Sequence, residues 1–309
     1  MEISPVGVGT APIGSSPAWS IYWGRQDEGD AIRAIHAAIA EGINWIDTAP
    51  FYGWGRAEEI VGRAVRDRRD RVFVFTKCGT VRLPDGDDSM DLRPEQVRRD
   101  LEASLRRLGV EHVDLLQPHD TDDGTPIEET WAEVHRLVDE GKVRFAGLSN
   151  HSRQLMERAI AVGPVVSSQN QFNLVQRRIE DGVLPWCRER GIGVLSWGSL
   201  AEGLLTEEFD LGALEPEDFR RQRPNFQEPR YSRIRALTAE LSAIGRDHGR
   251  KAQDVALAWM RSREGLTGAI VGVRTEREAV EVAEAVRWDA PPELIRAVDD
   301  AVARFDAVS

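Results

Sequence analysis

Short apolar runs alternate along this chain with longer stretches in which apolar residues recur every three or four positions. Eight runs read as buried strands: Val6-Thr10, Ile43-Asp47, Val72-Lys77, His112-Gln117, Arg144-Leu148, Val165-Gln169, Gly193-Trp197 and Gly268-Val271. Between them, helical periodicity is predicted over Asp30-Glu41, Ala57-Arg66, Pro94-Arg107, Ile127-Glu140, Arg153-Val162, Asp181-Arg190 and Tyr231-His248. Ser152 stands where an N-cap would, and Gly109, Gly141 and Gly191 stand where a left-handed residue would end a helix. Eight parallel strands joined by right-handed helical crossovers can close into a (β/α)8 TIM barrel, and the strand count favours closure over a doubly wound open sheet.

Two segments break the repeat: Thr80-Asp91, rich in Gly and Asp, and Leu204-Arg230, rich in Pro, Arg and acidic residues. Both follow strand ends, which makes each a candidate cover for a site. Pro292-Phe305 reads as a further amphipathic helix outside the repeat. One barrel domain is expected over residues 1–309, with a long cofactor and substrate loop around 203–230.

Composition narrows the function classes. A net charge of −12 opposes nonspecific adhesion to nucleic acid or anionic membranes, so neither is expected as a partner. No apolar run approaches the length that spans a bilayer, and the first residues carry no basic cluster followed by an apolar stretch. Cys78 and Cys187 are too few for a disulfide framework and lack metal-ligand spacing, so the expectation is a cytoplasmic protein without a metal. A monomer is the default for oligomeric state.

In a barrel, residues just past the strand ends meet on one rim and build the active site. That rim receives Asp47 and Tyr52 after the second strand, Lys77 at the end of the third and His119 after the fourth. Taken singly, each has an ordinary structural reading as turn, loop or packing residue. Lys77 differs, because the chain uses arginine at nearly every other basic position and keeps lysine only at positions 77, 142 and 251. A compact ammonium can lower the pKa of a neighbouring phenol, whereas a guanidinium is larger and planar. Lys77 is therefore expected to ease proton loss from Tyr52, Asp47 to fix Lys77, and His119 to hydrogen-bond a substrate oxygen.

In order and placement, Asp47, Tyr52, Lys77 and His119 resemble the catalytic tetrad of the aldo-keto reductase family, in its bacterial broad-specificity members related to the channel β-subunit branch. The resemblance covers nearly the whole chain: GVGTAPIG, FYGWGRAEEIVGRAV, DLRPEQVRRDLEASLRRLGVEHVDLLQPH and GKVRFAGLSN each resemble a family segment. It implies hydride transfer between NADPH and an aldehyde or ketone, with Tyr52 as general acid. It also implies that Thr10 and Asp47 border the cofactor, that Ser149, Asn150 and Gln169 hydrogen-bond the nicotinamide carboxamide, and that Trp197 stacks on its ring. The run GSLAEGLLT resembles the pyrophosphate-covering loop, which assigns Gly198, Ser199, Leu200 and Gly203 to the cofactor. IVGVRTEREAVE resembles the adenosine-phosphate segment, which assigns Gly272, Arg274, Thr275 and Glu281.

Two positions in that last segment depart from the family pattern. Glu278 stands where Arg or Gln is common, and Val282 where Asn is common. A carboxylate beside a 2′-phosphate is unfavourable, so NADPH is the expected cofactor with NADH left open. Trp19, Tyr22, Trp23, Phe51 and Trp54 suggest an aromatic substrate pocket with His119. Two alternatives remain at this level: a Schiff-base barrel lyase using Lys77 as nucleophile, and a noncatalytic cofactor-sensing subunit.

Overall fold

A computed structural model describes residues 1–307. The strands are β1 (Val6–Gly9), β2 (Trp45–Asp47), β3 (Phe73–Cys78), β4 (Thr80–Arg82), β5 (Asp88–Met90), β6 (Val113–Pro118), β7 (Val143–Ser149), β8 (Ser167–Gln171), β9 (Gly193–Trp197) and β10 (Leu266–Gly272). The helices are α1 (Glu28–Ala40), α2 (Arg56–Val65), α3 (Pro94–Leu108), α4 (Ile127–Asp139), α5 (Arg153–Ile160), α6 (Val183–Glu189), α7 (Arg230–Arg246), α8 (Ala252–Arg261), α9 (Glu276–Arg287) and α10 (Pro292–Ala307). Eight strands close in the order β1-β10-β9-β8-β7-β6-β3-β2, all pairing in parallel, while β4 and β5 form a separate antiparallel hairpin. The eight barrel strands are those the apolar runs predict, and the hairpin occupies the Gly- and Asp-rich segment after β3.

Local chemistry sets the element boundaries. Pro94 opens α3, where a missing N–H costs nothing, and Gly109 closes it in the left-handed region at φ 66°. Between them Val97, Leu101, Ser104 and Leu108 are buried, at the spacing that turns one helical stripe toward the barrel. Ser152 caps α5 by accepting from the Leu155 amide.

Two helices escape the periodicity argument. In α8 seven residues are buried, including Ala252, Val255, Trp259 and Met260. The other, α9, starts inside the segment that the sequence presents as a ligand loop.

The barrel interior is filled by Trp45, Phe75, Leu115, Leu195 and Ile270. Trp45 fits because β1 places Gly7 opposite it: a Cβ there would lie 2.2 Å from the indole. Since inward-facing positions recur every second residue, the next inward layer along β2, β3, β6 and β9 is Asp47, Lys77, Gln117 and Trp197. An apolar plug thus ends where a polar floor begins, at the C-terminal rim.

Candidate active site

Asp47 and Lys77 sit side by side in that floor, almost fully buried. The Lys77 ammonium donates to Asp47 Oδ1 at 2.5 Å and to the Thr48 carbonyl at 3.2 Å. Gln169 Nε2 donates to the other carboxylate oxygen at 2.8 Å. The ammonium also faces Tyr52, lying 5.3 Å from its ring centre.

Tyr52 lies on the loop between β2 and α2, which is pinned from the side. Gly53 has φ 64°, and a Cβ on it would come within 2.0 Å of the Gly14 carbonyl, so the two loops touch where only glycine fits. The His119 ring packs edge-on to Tyr52 at 5.7 Å and to Phe51 at 5.9 Å. His119 Nδ1 lies 3.3 Å from Thr80 Oγ1, which leaves Nε2 toward the open side. Thr80, at the start of β4, is absent from the sequence-based candidates; its position directly after the β3 strand end was the available signal.

Enclosure sets the protonation states. Burial is the largest influence on Tyr52 and pushes its phenol above the ordinary value of 10.0; Lys77 pulls against it and Asp47 reinforces it. Lys77 does lower the phenol, as its compact ammonium leads one to expect, while burial acts in the opposite direction and is the larger influence. Burial also opposes charge on Lys77, but Asp47 and Tyr52 outweigh it and hold the ammonium above its ordinary pKa. His119 is held well below its ordinary value by burial and by Lys77, which makes the imidazole neutral around pH 7.

Tyr52 and His119 open into an elongated cavity of about 1070 Å³. It runs from the tetrad past the ends of β8, β9 and β10 to the first turns of α9. The wall includes Thr10, Asp47, Ser149, Asn150, Gln169, Trp197, Gly198, Ser199, Leu200, Gly203, Gly272, Arg274 and Glu281. Of the residues assigned to the cofactor, Thr275 lies outside the lining: it caps α9 by accepting from the Glu278 amide at 3.3 Å. The cavity is long enough to border both the tetrad and a helix N-terminus, and Ser149 Oγ is buried without a hydrogen-bond partner in its wall. Those features fit an extended dinucleotide. Asn150, at φ 60°, accepts from the Trp197 indole at 2.9 Å and donates to the His119 carbonyl at 3.0 Å, so it also links the floor to the histidine loop. Among the described residues no group of three or more His, Cys, Asp or Glu could hold a metal, and no helix is long and apolar enough to cross a membrane.

Three assignments need correction in detail. Trp19, Trp23 and Phe51 line the tetrad end with Ile21 and Met90, but Tyr22 and Trp54 do not. Tyr22 hydroxyl donates to Glu215 at 2.7 Å, tying the β1–α1 loop to the long segment before α7. Trp54, at φ 56°, packs on Phe51 and beneath Arg82. Arg274 borders the cavity, yet its guanidinium is taken up by the β1–α1 loop: it donates to Gln26 Oε1 at 2.8 Å, to the Trp23 carbonyl at 2.9 Å and to the Arg25 carbonyl. These contacts span some 250 positions of sequence, which no local pattern reveals. Cys78 and Cys187 are buried and unpaired, with thiols pushed up by burial.

Comparison with known proteins places this geometry. The profile of the aldo/keto reductase family matches residues 5–303. Aldo-keto reductase YhdN of Bacillus subtilis is 35% identical over 304 residues, covering 93% of this chain and 86% of that protein. Probable aldo-keto reductase 1 of Glycine max is 32% identical over 260 residues, covering 84% and 74%. The solved structure of glycerol dehydrogenase AKR11B4 from Gluconobacter oxydans superposes with a TM-score of 0.88 at 36% identity, over 98% of this chain and 92% of that one. With a closed barrel, a tetrad on its rim and a family match over nearly its full length, this chain belongs to the aldo/keto reductase family and is a carbonyl-reducing oxidoreductase that uses a nicotinamide cofactor.

Proposed function

We propose that Tyr52 is the proton donor in reduction of an aldehyde or ketone, with Lys77 and Asp47 positioning it and His119 orienting the carbonyl. The observation that carries this reading is the Asp47–Lys77 pair at 2.5 Å beneath Tyr52, with a neutral His119 beside it and a cavity above. Among the described residues, the cofactor would be held at its nicotinamide end by Ser149, Asn150, Gln169 and Trp197, and along its length by Thr10, Gly198, Ser199, Leu200, Gly203 and Gly272. Bound NADPH or NADH supplies the hydride.

The chain's own part is electrostatic and steric. A neutral imidazole can donate from Nε2 to the carbonyl oxygen while Nδ1 accepts from Thr80. The phenol, held protonated by its raised pKa, delivers a proton to the alkoxide as charge develops there. Lys77 then faces a phenolate, whose charge it stabilises, while Asp47 keeps the ammonium charged. The aromatic wall of Trp19, Trp23 and Phe51 excludes water and suits a substrate with an apolar portion. Burial of Lys77 as a charged, hydrogen-bonded ammonium speaks against Schiff-base chemistry, which requires a neutral amine.

We further propose that the enzyme works as a cytoplasmic monomer in one barrel domain. Exposed large hydrophobics among the described residues are Met1, Leu83, Ile160 and Val162, too few for a broad apolar interface. Replacing Tyr52 with Phe tests the central reading: kcat for 4-nitrobenzaldehyde should fall by about 10²–10⁴-fold with nucleotide binding retained. Unchanged turnover would refute it.

A further inference from the structure

With the reacting end of the cofactor at Tyr52 and His119, the opposite end of the cavity must receive the adenosine half of the dinucleotide. That end is formed by the first turns of α9 together with Glu208. A 2′-phosphate, the one group that separates NADPH from NADH, needs free cationic donors there. The cations are present but engaged. Arg274 gives its guanidinium to three oxygens of the β1–α1 loop. Arg277 pairs with Glu208 at 3.2 Å and with Glu281 at 3.6 Å, and Lys251 spans the same two carboxylates.

A carboxylate stands at the helix N-terminus as well. Exposed amides at such an end attract phosphate, but here the first turn of α9 carries Glu278, whose Oε2 accepts at 2.6 Å from the amide of Arg274, the residue before the cap Thr275. We propose that Glu278 is a specificity-determining residue that disfavours the 2′-phosphate, so that NADH binds at least as tightly as NADPH. A carboxylate at this position repels a phosphate dianion and accepts a hydrogen bond from a ribose hydroxyl, as acidic residues do in other NAD sites. Arg274 correspondingly acts as a tether for the β1–α1 loop rather than as a phosphate ligand. The inference rests on the proposed cofactor orientation.

The test is a titration of intrinsic tryptophan fluorescence with NADH and with NADPH separately, since Trp19, Trp23 and Trp197 line the cavity. Wild type should bind NADH with a dissociation constant equal to or below that for NADPH. Glu278→Gln, which still offers an acceptor to the Arg274 amide, should tighten NADPH by about tenfold and leave NADH within about twofold. Arg274→Ala should weaken both nucleotides by the same factor. NADPH binding several times more tightly than NADH in wild type, an unchanged ratio in Glu278→Gln, or a loss confined to NADPH in Arg274→Ala would each overturn the inference. Failure of both nucleotides to bind would instead overturn the proposed function itself.

Discussion

Two buried carboxylate–cation pairs lie on either side of the same barrel wall. Outside it, Glu58 of α2 accepts from Thr76 Oγ1 at 2.6 Å and from Arg107 Nε of α3 at 2.7 Å. Inside it, Asp47 accepts from Lys77 and Gln169. Both carboxylates are fully hydrogen-bonded, so satisfaction alone does not separate structure from chemistry. The difference is what adjoins them. Glu58 is sealed among α2, α3 and β3, where its work is to hold two helices to a strand. The Asp47–Lys77 pair ends at a phenol and an imidazole that face open space, where a change of charge can be used. A buried ion pair becomes a functional candidate when a cavity and a titratable group border it.

Removing the proton donor should have the largest effect. Tyr52→Phe should lower kcat by about 10²–10⁴-fold, and Lys77→Met by a similar factor, because the second acts through the first. The double variant Tyr52→Phe/Lys77→Met should be no slower than the worse single one, since groups that act as a unit are not additive. Steady-state rates for the three variants check this, and additive losses would separate the two residues.

The outer pair should behave in the opposite way. Arg107→Ala leaves Glu58 buried without its cation and should cost about 3 kcal/mol of stability, seen as a lowered urea midpoint, while kcat per folded molecule stays within about twofold. A smaller effect is expected at Gln169→Leu. It removes one hydrogen bond to Asp47 and one cavity-facing acceptor, so catalysis should weaken by roughly tenfold with little loss of stability.

Much of this was legible in the sequence, for definite reasons. Strands buried on both sides read as apolar runs, and barrel topology then sends Asp47, Tyr52, Lys77 and His119 to one rim. What was not legible depends on side-chain direction set by distant loops. Tyr22 looks like a pocket aromatic until Glu215 takes its hydroxyl, and Arg274 looks like a phosphate ligand until Trp23, Arg25 and Gln26 take its guanidinium. Helix α8, with seven residues buried, is not among the periodic stretches read from the sequence. The hairpin β4–β5 was hidden by its Gly and Asp content, although its first residue, Thr80, contacts His119.

The pH dependence of reduction reports the protonation states of Tyr52 and His119. With the Tyr52 phenol raised above its ordinary value and required in its protonated form, and with His119 required neutral, kcat for 4-nitrobenzaldehyde should show no titration between about pH 7 and about pH 9. It should fall only as the pH rises through the phenol, or drops through the depressed imidazole. A loss of reduction centred near about pH 7.5, abolished in Tyr52→Phe, would mean that the phenol titrates near neutrality and would contradict the balance between burial and Lys77 described here.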